Sequence, residues 1–282
     1  WVAVTGTTIN TNADNRVITG SGTANTLNGE AGLTYDGTVL LNTGNGAREI
    51  RNHLTLTSTA DSRMLVSIPA SASNVAYIGF HEGAGDGTAN NMGYRMGYDA
   101  SANYFRIQSR DFNGSGGAGN VLEIKDGTGA MTLPKQPGVL AYNSASDDNI
   151  TGDGSTTVTI DFDTEIYDQG GDFLNDTFTA PVTGRYFITA TVRLEGLSQA
   201  VLQLPLIIQA SNNDYNFIFN QRWTVAGVTN QGLTVTNIID MDANDTVFIE
   251  LNVQGVGSNT VDVFGQGASS MHTCWVSIMM VA

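Results

Sequence analysis

Along the last half of the chain, apolar side chains fall on every second position. Tyr186, Ile188, Ala190, Val192 and Leu194 share one parity, as do Leu202, Leu204, Leu206 and Ile208, and then Val247, Ile249, Leu251 and Val253. A period of two is the signature of a strand with one buried face. Its recurrence at turn-bounded intervals predicts a β-sandwich over residues 135–282. Residues 46–134 carry shorter apolar runs, among them Val75 to Phe80, Met92 to Tyr98 and Tyr104 to Gln108, separated by glycine-rich loops. They predict a β-rich middle domain. Residues 1–45 place apolar side chains singly or in short clusters such as Val17-Ile18 and Leu40-Leu41, between Gly- and Asn-rich turns. So sparse a segment cannot offset backbone ordering, about 1–2 kcal/mol per residue, by its own burial. Its β-branched residues favour strands that wrap with copies of themselves into a shaft. No window sustains the 3.6-residue period of a helix. The fold class expected is all-β.

Two local patterns refine this picture. Asp126-Gly127 between apolar alternations from Leu122 to Leu133 is a hairpin signal, and it echoes Leu33-Thr34-Tyr35-Asp36-Gly37-Thr38-Val39-Leu40 as a weak internal repeat. Pro134 and Pro137 bracket a short linker before the sandwich. In the closing run Cys274 to Val281, both parities are largely apolar, whereas an antiparallel sandwich strand ordinarily has one wet face. One parity would pack on the core. The other, with Trp275, Ser277 and Met279, needs a second cover, for which another subunit is the simplest and an overlying loop the alternative.

Composition changes the picture in four ways. Charged residues make up 14% of the chain, against about 25% in an average soluble protein, so the Glu, Lys and Arg that cover exposed helix faces are scarce. The formal net charge is −15, which repels nucleic acid and anionic headgroups and excludes nucleic acid as an expected partner. The single cysteine, Cys274, excludes a disulfide within the chain, leaving packing or assembly to supply rigidity. No apolar run approaches the ~20 residues of a membrane-spanning helix, so no membrane insertion is expected. The chain opens at Trp1 with neither an initiator Met nor a signal-like stretch, and reads as a processed or partial chain,.

The third segment carries Ile166-Tyr167-Asp168, then Phe173, then Thr177-Phe178-Thr179-Ala180-Pro181-Val182-Thr183-Gly184-Arg185-Tyr186. Further on come Met241-Asp242-Ala243-Asn244-Asp245-Thr246-Val247, Phe264-Gly265 and Cys274-Trp275-Val276-Ser277-Ile278. In this order and spacing they resemble the jelly-roll head of the complement C-one-q and tumour necrosis factor family, with Asn244 where that family usually has Gly. The first segment, through Asp14-Asn15-Arg16-Val17-Ile18-Thr19-Gly20 and Leu27 to Gly37, is similar to bacteriophage tail-fibre shafts. Both resemblances imply three-fold assembly: an interwoven β shaft at 1–45, a middle domain at 46–134 and a jelly-roll tip at 135–282, with Trp275, Ser277 and Met279 in the trimer interface. The Gly-X-Y triplets of a collagen stalk are absent before the head.

Catalytic chemistry is thinly represented. His53, His81 and His272 are not at metal-ligand spacing,, and His81-Glu82 beside Gly83 reads as the start of a loop more readily than as a general base. Cys274, within an apolar strand, is expected to be an inert small apolar residue. Asp161 and Asp163, two apart, would share one strand face, with Asp147-Asp148, Asp168, Asp172 and Asp176 in loops. Paired carboxyls could serve a glycosidase, though a solvated strand face is the plainer reading. Calcium is the one cofactor considered: hard oxygen ligands suit it, and the complement-like resemblance implies it. Tyr215, Phe217, Phe219 and Trp223 lie among Asn, Asp and Arg side chains, a composition suited to stacking on sugars. The alternation of the first three also suits a core. Tyr215, Arg222 and Trp223 are the binding candidates, with the loop from Ala226 to Gly232 beside them. The function expected is non-enzymatic attachment of a virion to a bacterial surface glycan or protein by a trimeric fibre joined to upstream fibre proteins. The alternatives are a structural spacer or trimerisation module and, behind it, a polysaccharide depolymerase.

Overall fold

The computed structural model describes residues 6, 8–10, 16–20, 22, 26–35, 40–42, 75–81, 92–111, 119–219, 229–266 and 271–282. Among the described residues every regular element is a strand, as the period-two patterning predicts. The chain divides into two compact units, Trp1–Leu65 and Val66–Ala282.

In the first unit, β1 (Thr8–Asn10), β2 (Arg16–Gly20), β3 (Thr26–Tyr35) and β4 (Leu40–Asn42) form one sheet. β1 runs parallel to β3, while β2 and β4 pair with β3 antiparallel.

The second unit opens with an antiparallel meander of β5 (Val75–His81), β6 (Met92–Asp99), β7 (Tyr104–Asp111), β8 (Gly119–Lys125) and β9 (Met131–Thr132). The predicted Asp-Gly hairpin joins β8 to β9, with Gly127 and Gly129 at φ +80° and +67°, where a side chain would be strained,. Its echo in the first unit pairs in the same way, Tyr35 opposite Leu40.

Register sorts the meander into two unlike faces. Rows such as Ile78, Met96, Ile107 and Leu122, or Tyr98, Phe105, Ile124 and Met131, stack apolar side chains on one side. The other side carries a polar network. Arg106 pairs with Asp99 and, at 2.7 Å, with Glu123. Gln108 accepts from Arg95 at 2.6 Å, and Asn120 donates to Glu123 at 2.6 Å. Lys125 Nζ lies 4.4 Å from the centre of the Tyr104 ring, within cation–π range.

Thirteen strands build the head: β10 (Gly138–Tyr142), β11 (Asp147–Thr151), β12 (Val158–Thr159), β13 (Thr164–Asp168), β14 (Phe173–Leu174), β15 (Thr177–Thr179), β16 (Gly184–Glu195), β17 (Leu204–Ala210), β18 (Asp214–Phe219), β19 (Gln231–Met241), β20 (Thr246–Leu251), β21 (Val261–Val263) and β22 (Trp275–Met280). One sheet runs β10-β22-β16-β19, extended by β13, β21 and β11. The other runs β15-β20-β17-β18, extended by β14 and β12. Taking the eight principal strands in chain order, the first sheet holds the first, eighth, third and sixth, and the second holds the second, seventh, fourth and fifth. That alternation between two antiparallel sheets is the jelly roll.

The core lies between the sheets. Tyr186, Ile188, Ala190, Val192 and Leu194 of β16 are fully buried, as are Leu206 and Ile208 of β17 and Val247 and Leu251 of β20. Leu202 departs from its expected place: it precedes β17 and is 52% exposed, so the buried parity starts at Leu204.

Local chemistry explains the motif residues. Asp168, at the end of β13, accepts hydrogen bonds from the backbone N–H groups of Gly170, Gly171, Asp172 and Phe173, fixing the turn that delivers Phe173 to the core. Asn175 and Asp176, at φ +49° and +61°, form the two-residue turn of the β14–β15 hairpin, the geometry that type I′ turns supply. Phe178, Ala180 and Tyr186 are fully buried, and the Tyr186 hydroxyl donates to Val182 O at 2.7 Å across the corner. Gly184 is fixed by crowding, since a Cβ there would meet Ala282 O at 2.5 Å and Met280 Cε at 2.6 Å. Asn244 keeps the left-handed conformation that its place implies, at φ +76°.

Candidate functional site

Strand alternation sets the outward face of the β10-β22-β16-β19 sheet. With Val276 and Ile278 of β22 in the core, Trp275, Ser277 and Met279 point away from it. The same parity places Leu140 on β10 and Phe187 and Thr189 on β16 beside them. With Ile166 of β13 and His272, these side chains line an apolar trough of about 470 Å3. The three residues expected to need a cover therefore share one surface. Ile166 is 50% and Met279 41% exposed.

At the far end of that face from the start of β10, a polar cleft of about 330 Å3 lies between Thr191, Arg193, Asn230, Gln231, Gly232, His272 and Thr273. His272 sits between trough and cleft, its ring 3.9 Å from that of Tyr142. His272 Nδ1 and Thr273 Oγ1 are buried without a hydrogen-bond partner, an arrangement that costs about 1–3 kcal/mol per group until a partner is found. Arg193 is held by Glu195 at 2.5 Å and lies 4.2 Å from the centre of the Phe264 ring. The Thr191 hydroxyl is shared with that of Thr234 and Gln231 Nε2 donates to Gly232 O, so the polar groups of the cleft are partly engaged within the chain. Nothing in the local sequence marks it, because three separate stretches of chain contribute to it.

The aromatic candidates fare differently. Tyr215, with Phe217 and Phe219, points inward from β18 and packs against the core. This is the core reading that the alternation of the three aromatics also offered, and it leaves Tyr215 partly buried. Arg222 and Trp223 lie outside the described residues, as do His53, Glu82 and most of the loop from Ala226 to Gly232.

The acidic residues converge more closely than their spacing suggests. Asp161 lies near Asp176, Asp163 and Asp147. Burial, followed by these neighbouring charges and a hydrogen bond shared with Asp176, pushes its carboxyl up to about 6. Burial works against Asp163 as well, but hydrogen bonds from the Ser144 hydroxyl and N–H and from Thr164 hold it below the ordinary carboxylate range. Asp163 has both oxygens engaged by Ser144, and Asp161 hydrogen-bonds with Asp176. Among the described residues, no three His, Cys, Asp or Glu side chains gather into a metal site.

A carboxyl whose folded pKa lies above its unfolded value contributes stability that is complete below the unfolded value, about 3.9, and lost as the pH rises through the folded one. For Asp161 that loss is complete once the pH passes about 6. Asp161→Asn keeps a donor toward Asp176 and removes the charge. Its melting temperature near pH 7 is expected to rise by about 2–4 °C, for roughly 1 kcal/mol after solvent screening. The gain should vanish below about pH 4. A lower melting temperature near pH 7, followed by calorimetry, would show that the carboxylates do not repel one another here.

Cys274 is buried, and burial first, then the charge of Asp147, pushes its thiol up to about 12. It is therefore a packed apolar group and not a nucleophile.

Comparison with known proteins yields structures but no sequence relatives: no family model and no curated protein matches the chain. Solved structures similar to the head include the globular domain of zebrafish complement 1qA protein, at 15% identity and a TM-score of 0.36, covering 52% of this chain and 98% of that one. Murine APRIL at pH 8.5 has 6% identity and a TM-score of 0.35, covering 52% of this chain and 100% of the other. The pH 8.0 structure of murine APRIL has 9% identity, with the same score and the same coverage. The jelly-roll assignment itself stands on the strand order.

Proposed function

We propose that the chain is the distal part of a virion fibre, tail or capsid, which assembles as a homotrimer and attaches the particle to a bacterial surface glycan or protein without catalysing a reaction. The observation that carries this reading is the apolar trough of Leu140, Ile166, Phe187, Trp275 and Met279 ending at the polar cleft of Gln231, His272 and Thr273. Apolar surface of this kind on a jelly-roll sheet is best covered by other copies of the same sheet, and the resemblance of the segment around Phe178 to Tyr186 to complement heads points the same way. The shaft expected at 1–45 joins the head to upstream fibre proteins in this reading. The cleft offers the ligand hydrogen bonds. Three tethered clefts raise weak single-site binding by about 10²–10⁴ through effective concentration.

The test is a bacterial glycan array, probed with the full chain and with a Gln231→Ala/Thr273→Val variant. Binding to at least one glycan, lost in the variant while its oligomeric state is kept, is the expected result. Cell binding that the variant leaves unchanged would move the contact elsewhere on the chain. No binding to cells at all would favour the spacer, and release of reducing sugar would favour a depolymerase.

A further inference from the structure

The meander of β5 to β9 has an exposure pattern inverted from that of a protein standing alone. On its apolar face Phe80 is 57%, Tyr94 53% and Met131 62% exposed, and Met96, Tyr98 and Phe105 are each above a third. On the opposite face the side chains of Arg106, Asp99 and Glu123 are only 17%, 14% and 16% exposed, sheltered by their own network. The charged side is closed on itself and the apolar side is open.

We propose that this apolar face is a second self-association surface, covered by the same face of two further copies of the chain, so that three sheets close around an axis below the head. The inference rests on the trimeric reading of the head and extends it to a separate domain.

Area supports a stable contact. At about 200 Å2 per large side chain, the exposed fractions on this face, with the half-buried Ile107, Leu122 and Ile124 at its centre, come to on the order of 700 Å2. That exceeds the ~300–600 Å2 of the largest patch on a typical monomer and approaches the ~800 Å2 that each partner contributes to a standard interface. Chemistry supports a copy over a foreign partner. The two central register rows, Ile78 to Leu122 and Tyr98 to Met131, hold aliphatic and aromatic side chains, and the charged residue of the face, Asp111 opposite Met92, stands in an end row. The centres of identical faces therefore meet without pairing like charges, although each chain carries a net −15. Continuity supports three copies over two. The linker after β9 is tied to the base of the head, where Gln136 Nε2 donates to Met280 O at 2.8 Å and Gln169 Nε2 donates to Leu133 O at 2.7 Å and to Gln136 O at 2.9 Å. Chains brought together by their heads therefore bring their meanders together in the same number.

The buried Cys274 leaves an introduced thiol as the reactive one, which permits a direct test on the full chain. Met96→Cys lies on the apolar face and Gln108→Cys on the polar face, on adjacent paired strands. Treated with a short trifunctional maleimide, Met96→Cys is expected to give covalent trimers at least about tenfold more efficiently than Gln108→Cys, because the three thiols share a high effective concentration. A trimeric wild-type chain whose Met96→Cys variant labels only as a monomer would overturn this inference and leave the head reading standing. Equal cross-linking of both variants would mean no preferred face, which overturns it too. A wild-type chain that is monomeric throughout would fail the head reading itself.

Discussion

Trp275→Glu is expected to weaken the proposed homotrimer at its head contact without unfolding the chain. The side chain lies on the outward parity of β22, opposite Tyr142 and Thr191, and lines the trough with Leu140, Phe187 and Met279, where it costs the monomer no core contact. In a three-fold head it would become a desolvated aromatic anchor, and such residues are worth about 2–4 kcal/mol each when removed. A carboxylate in its place adds a buried, unpaired charge. With about 1.4 kcal/mol per tenfold, each chain should lose roughly 30- to 1000-fold in its affinity for the other two. Light scattering after size exclusion reads this directly, and circular dichroism checks that the fold survives. Cell attachment should fall by the same avidity factor of about 10²–10⁴. Leu174→Glu, 72% exposed on the β14–β15 hairpin of the other sheet, should leave assembly unchanged. If both variants dissociate at the same concentration as the wild type, the trough is not the contact surface.

Tyr186→Ala is expected to cost about 3–5 kcal/mol, enough to lower the melting temperature of the second unit by about 6–20 °C. The ring is fully buried and lies 5.5 Å from that of Phe178, and the hydroxyl ties the β15–β16 corner through Val182 O. Tyr186→Phe keeps the packing and loses only the hydrogen bond, for about 1 kcal/mol. A large gap between the two variants in denaturant unfolding places the stability in packing. Equal losses would place it in the corner hydrogen bond.

Much of the head was legible because its information is local. The parity of Tyr186 to Leu194 names the core face of β16 without reference to any other strand, and the stretch from Phe178 to Tyr186 carries its own corner. Asp161 and Asp163 were read as sharing a strand face, but β12 ends at Thr159 and both follow it outside any strand, and the partner that matters for Asp161 is Asp176, supplied by a hairpin turn. For Tyr215, Phe217 and Phe219, alternation says that the aromatics share one face, and only the structure says that this face packs on the core. The cleft of Thr191, Gln231 and Thr273 was invisible for a related reason: β16, β19 and the approach to β22 meet only through long-range pairing. The open face of the meander belongs to the same class. Its strands were recognisable one by one, but only register aligns Ile78, Met96, Ile107 and Leu122 into a single apolar row.

Association of three chains through the outward face of the head is the claim on which the rest depends. Sedimentation velocity of the 282-residue chain over a dilution series into the nanomolar range measures it most directly. A single species of three times the chain mass, persisting on dilution, is the result expected. A compact, fully folded monomer at every concentration would contradict it.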